Sequence, residues 1–94
     1  MFPAILKARL PDVDDVIGAQ IVRFVQGLRR EELEKVPGIA ETLDWAAALA
    51  GLDIQALDRD PEQILPTLIC LLKTERDLKS VTREVVSRLA GKAA

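Results

Sequence analysis

The side chains able to do chemistry are few in kind. The chain carries 15 Asp and Glu, 13 Lys and Arg, one Cys and no His. Without His, the commonest general base and the commonest transition-metal ligand are both missing. Cys70 alone makes neither a zinc site nor an internal disulfide, and inside an apolar stretch it reads as a small inert hydrophobe. There is no Gly-rich phosphate loop ending in Lys-Ser or Lys-Thr, no G-x-G-x-x-G and no nucleophile elbow. The chain alone is therefore not expected to be an enzyme, and no catalytic or metal-ligating set is assigned.

Anion and partner binding remain. Glu41 and Asp44 lie beside Trp45 on the apolar-periodic run that follows the turn Pro37-Gly38. A helix starting there presents unpaired N–H groups, which suit a phosphate, although Glu41 repels an anion and is more simply explained as a first-turn acid complementing the helix dipole. Arg23, Arg29 and Arg30 are a candidate basic patch for phosphate, or simply a solvated helix end. Trp45, the single Trp, is either an interface anchor or a core residue packed on the preceding helix. Arg83 and Arg88 read as the solvated face of the last helix.

The elements that position these residues follow from length and pattern. A chain of 94 residues makes one domain, residues 1–94, with a modest single core. Apolar residues are 49% and aromatic residues 3%, so that core is aliphatic. A net charge of −2 with both signs interspersed argues against a dedicated nucleic-acid or anionic-membrane binder. No apolar run reaches the roughly 20 residues that span a bilayer, and with no signal peptide visible the cytoplasm is the default compartment.

Period-2 alternation is absent, and apolar residues recur at helical spacing. Pro3 to Leu10 reads as a short helical piece ended by Pro11. Asp12 to Arg29 is a helix capped by Asp12, with Val13, Val16, Ile17, Ile21, Phe24, Val25 and Leu28 on one face. Gly18 suggests a close helix approach and Gly27 a frayed end. The spacing predicts a helix from Ile39 to about Leu52, burying Ile39, Leu43, Ala46, Ala47 and Ala50 and terminated near Gly51. Ile54 and Leu57 are possible core pins in the loop that follows. Asp60-Pro61-Glu62 starts an almost wholly apolar central helix to about Lys73, with Pro66 as a kink or a delayed start. Thr74 to Lys79 reads as a charged junction. Ser80 caps a last helix with Val81, Val85, Val86 and Leu89 inward, ended by Gly91. The fold class is all-α, a small bundle of four to five helices.

The run Leu28 to Leu49 carries a resemblance. Within it, Leu33-Glu34-Lys35-Val36-Pro37-Gly38-Ile39-Ala40-Glu41-Thr42-Leu43-Asp44-Trp45-Ala46 resembles the Leu-x-Lys-x-Pro-Gly-Val/Ile-Ala-Glu-Thr-Leu-Asp-Trp-Ala run in the C-terminal helical lid subdomain of MoxR-type AAA+ ATPases, in the branch with CoxD-like proteins. Ala8-Arg9-Leu10-Pro11, Phe24-Val25 and Leu71-Leu72-Lys73 are similar to that region too. The resemblance implies an AAA+ lid-like fold and a parent ATPase whose separate α/β subdomain binds ATP and Mg²⁺, with no cofactor held by this chain. It implies a parent that forms a homo-oligomeric ring and acts as a chaperone, remodelling or maturing a partner protein, with a von Willebrand factor A-type protein as a possible partner. The start of the Ile39 helix corresponds to the sensor-2 region, which places Gly38, Glu41 and Thr42 nearest nucleotide and Pro37 and Trp45 at an interaction surface. No Arg lies between Gly38 and Ala50, a departure from the usual sensor-2 pattern. The alternatives are a stand-alone helical protein-interaction module and, behind it, a nucleic-acid binder.

Overall fold

The computed structural model describes residues 15–93. The Pro3–Leu10 piece, its end at Pro11, the Asp12 cap and Val13 lie outside the described residues. Within them, all regular structure is helical. The order is α1 (Asp15–Leu28), α2 (Ile39–Gly51), α3 (Pro61–Ile64), a 3₁₀ helix (Leu65–Cys70), α4 (Glu75–Ser80) and α5 (Arg83–Ala93). α1 packs against α5 and α2, α2 against the 3₁₀ helix, and α3 against α5. None of the described helices is long and apolar enough to cross a membrane.

α1 buries Ile17, Ile21, Phe24, Val25 and Leu28, the stripe its period predicts, joined by Val22. Val16, expected on that stripe, is exposed. Gly27 does not mark a frayed end but a close helix approach: a Cβ there would stand 2.8 Å from Leu89 Cδ2 on α5. The missing side chain lets the two helices meet.

α2 has the expected span but a different inward face. Thr42, Trp45, Ala46 and Leu49 are buried, whereas Ile39, Ala47 and Ala50 are exposed and Leu43 is only half-buried. The two stripes differ by about one residue of rotation, and both obey the i, i+3, i+4, i+7 rule. The face bearing Trp45 and Leu49 removes more apolar area from water, and leaving Ala47 and Ala50 outside costs little. α2 ends at Gly51, as expected, but the residue that closes it in the left-handed region is Asp53, at φ 57. Its N–H donates to Ala50 O (3.1 Å) and the Ile54 N–H to Leu49 O (3.0 Å), the two bonds of a Schellman closure. Leu57 is fully buried and Ile54 packs against the core, as the loop pattern suggests. The Leu57 N–H is satisfied by Gln20 Oε1 of α1 at 2.8 Å.

Asp60 caps α3 as expected, accepting from the Glu62 N–H, with Pro61 in the first turn. The anticipated long central helix is not formed. α-Helical bonding stops at Ile64 and the chain tightens into the 3₁₀ helix around Pro66. Pro66 has no N–H for Glu62 O, and its ring crowds that carbonyl in an α-helix. The tighter winding turns Ile64, Leu68, Leu71 and Leu72 inward but leaves Ile69 outside. Thr74 to Lys79 is not merely a junction. Thr74 accepts from the Asp77 N–H and starts α4. Ser80 does not cap the last helix. Its hydroxyl donates to Asp77 O and closes α4, while Thr82 Oγ1 accepts from the Val85 N–H at the start of α5. α5 continues through Gly91 to Ala93, with Val86, Leu89, Ala90 and Ala93 buried. Val85 is half-buried, and Val81 is buried ahead of the helix.

Candidate functional site

The stretch from Glu34 to Trp45 is held from three sides. Asp77, on α4, is only 1% exposed. Its Oδ1 accepts the Glu34 N–H at 2.8 Å and its Oδ2 the Lys35 N–H at 2.9 Å. Burial works against the charged carboxylate. The two backbone N–H groups, the Thr74 hydroxyl and the charge of Arg76 outweigh it, so the Asp77 pKa lies below the ordinary Asp value. From the turn just after α1, Arg29 Nη2 donates to Pro37 O at 3.2 Å. Pro37 itself is buried.

Gly38 is the N-cap of α2, in extended backbone, and no side chain caps that turn. Instead, the Thr42 N–H (3.1 Å) and the Thr42 hydroxyl (2.7 Å) both donate to Gly38 O. Thr42 is fully buried, and its hydroxyl is engaged by Gly38 O within the turn. Glu41 lies half-buried beside Gly38. Outward from the same turn stand Val36, 47% exposed, and Ile39, 46% exposed.

Trp45 is 0% exposed, which decides between the two readings of it in favour of the core. Its ring lies 4.9 Å from that of Phe24, tilted by 39°. Its Nε1–H donates to Thr67 Oγ1 at 2.8 Å, and the Thr67 hydroxyl in turn donates to Ile64 O. Of the five residues singled out from sequence, Gly38 and Glu41 border the surface, while Pro37, Thr42 and Trp45 build the support beneath it.

The three arginines do not form one patch. Arg29 turns to Pro37 O, while Arg23 and Arg30 line a groove of about 180 Å³ between α1 and α5, together with Gln26, Gly27, Leu89 and Lys92. Arg83 and Arg88 are exposed yet paired, with Glu62 and Glu31 respectively, each at 2.7 Å. Such exposed pairs are worth about 0–1 kcal/mol each. No group of three or more potential metal-ligating side chains occurs among the described residues. Cys70 is half-buried and unbridged.

Sequence reasoning missed Asp77, Gln20, Thr67 and Lys92. The first three are polar residues on otherwise apolar or charged segments, and only the fold supplies their partners. Comparison with known proteins finds no match among protein families, curated proteins or solved structures.

Proposed function

We propose that the chain is a helical lid subdomain of a MoxR-like AAA+ ATPase. It couples ATP binding and hydrolysis in a larger parent protein to remodelling or maturation of a partner protein. The observation that carries this reading is the edge around Pro37. The turn is anchored by Asp77 and Arg29, yet it holds apolar Val36 and Ile39 out to solvent. A rigid edge with apolar side chains is suited to docking on a second body. In this proposal that body is the α/β subdomain, which carries ATP and Mg²⁺. The edge transmits the nucleotide state to the helices through the turn itself. Thr42 has an internal role, and Gly38 and Glu41 are the residues of the sensor-2 region left at the surface. A ring-shaped homo-oligomer and a von Willebrand factor A-type partner belong to the same proposal.

The second reading is a stand-alone helical interaction module, which the same apolar edge also favours. The reading frame of the whole gene separates the two. A frame encoding a phosphate loop and a Mg²⁺ ligand supports the lid; a frame without them refutes it. In the parent ATPase, Val36→Ser combined with Ile39→Ser is expected to lower ATP turnover severalfold. The stability of the helical chain should stay within about 0.5 kcal/mol per site, as for exposed positions generally. Unchanged turnover in that variant refutes the docking role of the edge.

A further inference from the structure

We propose that the groove between α1 and α5 is a binding site for a phosphoryl-type oxyanion, the head of a small phosphate monoester. Arg23, Gly27 and Arg30 are spaced i, i+4, i+7, so they fall on one side of α1 and its immediate continuation. Lys92 approaches from the last turn of α5, which runs antiparallel to α1. Three cationic side chains thus line one depression, and no carboxylate lines it. Four cations elsewhere are paired: Arg76 with Glu34, Lys79 with Glu75, Arg83 with Glu62 and Arg88 with Glu31. Arg23, Arg30 and Lys92 make no such pair among the described residues.

Helix dipoles account for a cation at each of the two helix ends, but they do not require that the cations converge. Convergence of like charges costs free energy until an anion neutralises them. Gly27 and Leu89 lie in the lining between the cations, where the missing Gly27 side chain lets α1 and α5 approach closely and brings Arg23 and Arg30 near Lys92. Arg23 is fixed by donation from Nη1 to Ala93 O at 3.2 Å, which leaves its other N–H donors for a ligand. Gln26 adds an amide donor. A guanidinium fork matches the oxygens of a phosphoryl group, and a lysine supplies a point charge beside it. The volume of about 180 Å³ is below that of pockets for drug-sized ligands, roughly 300–1,000 Å³. It suits a phosphoryl head and not a whole nucleotide. This site is independent of the lid proposal, since it lies on α1 and α5 and uses none of the Pro37 edge.

The test is a titration of the ¹⁵N-labelled full chain with inorganic phosphate, at ionic strength held constant with chloride, followed by NMR. Saturable shifts are expected at the amides of Gln26, Gly27, Arg30 and Lys92 and at the Arg23 and Arg30 Nε–H groups. Arg30→Gln and Lys92→Gln should each weaken binding at least threefold, and together abolish it. Lys79→Gln, outside the groove, should leave it unchanged. Both groove residues are exposed, and retained amide dispersion verifies that the variants fold. Glycerol phosphate and phosphatidylcholine vesicles containing phosphatidate then separate the sources. Competition by the first alone marks a soluble ester, and sedimentation with the second, lost in the double variant, marks a lipid headgroup. Shifts that do not saturate, that spread evenly over all cations, or that survive the double variant overturn the proposal.

Discussion

Replacing Thr67 with Val keeps the shape of the side chain and deletes its hydroxyl. That hydroxyl accepts from Trp45 Nε1 and donates to Ile64 O, so two buried bonds disappear together. Each has a net worth of about 1 kcal/mol, and a buried donor left without a partner costs about 1–3 kcal/mol. Trp45 is completely enclosed, so bulk solvent does not reach Nε1 to replace the lost acceptor. The expected loss is about 2–3 kcal/mol. For a domain of this size each kcal/mol lowers Tm by about 4–8 °C. The assay is urea unfolding followed by circular dichroism, for Thr67→Val, Trp45→Phe and the double variant. Trp45→Phe removes the donor itself, so the two substitutions are expected to be less than additive, with a coupling of about 1 kcal/mol. Trp45 is the single Trp, so fluorescence of Thr67→Val reports directly on its surroundings. A loss under 0.5 kcal/mol for Thr67→Val, or strict additivity, would refute the claim that this bond pins α2 to the 3₁₀ helix.

Two other outcomes are expected. Asp53→Gly relieves a left-handed backbone at the end of α2 and should raise stability by about 0.5–1 kcal/mol, measured by urea unfolding; destabilisation would mean that the Asp53 side chain holds the closure itself. Asp77 has a depressed folded-state pKa, so its contribution is present above the unfolded Asp pKa of about 4 and is lost as pH falls through the lower folded value. Asp77→Asn should therefore be less stable near neutrality and should flatten the acid limb of the stability–pH profile, with unfolding midpoints read between about pH 2 and 7; an unaltered acid limb would contradict the clamp.

The parts of the fold legible in the sequence are those where local chemistry and period agree. Asp60-Pro61 starts α3 because the cap and the fixed φ need no tertiary help. The α1 stripe is read nearly correctly because only one face of that segment is strongly apolar. α2 offered two apolar stripes, and periodicity alone does not weigh a Trp against several Ala; burial does. The continuous helix expected across Pro66 failed because the cost of an interior Pro fell on the element the hydrophobic pattern favoured. α4 is invisible to pattern because it is short, charged and stabilised by Thr74 and by an Asp77 clamp on residues more than forty positions away. At the candidate site, sequence located the Pro37 turn but not its support. Thr42 and Trp45 looked available because their partners, Gly38 O and Thr67, are fixed by folding.

The pairing of α1 with α5 also bears on the order in which the chain is made. Synthesis delivers α1 first among the described helices and α5 last, yet each covers much of the other's apolar face. While the polypeptide is still emerging, Ile17, Ile21 and Val25 have no α5 to shield them. Among the described helices, α1 is therefore the one whose apolar stripe stays exposed longest on the nascent chain, a period of vulnerability to aggregation. Cooperative folding waits until Leu89 and Ala93 are free to close over α1, so even a short loss from the α5 end leaves the earliest helix without its cover.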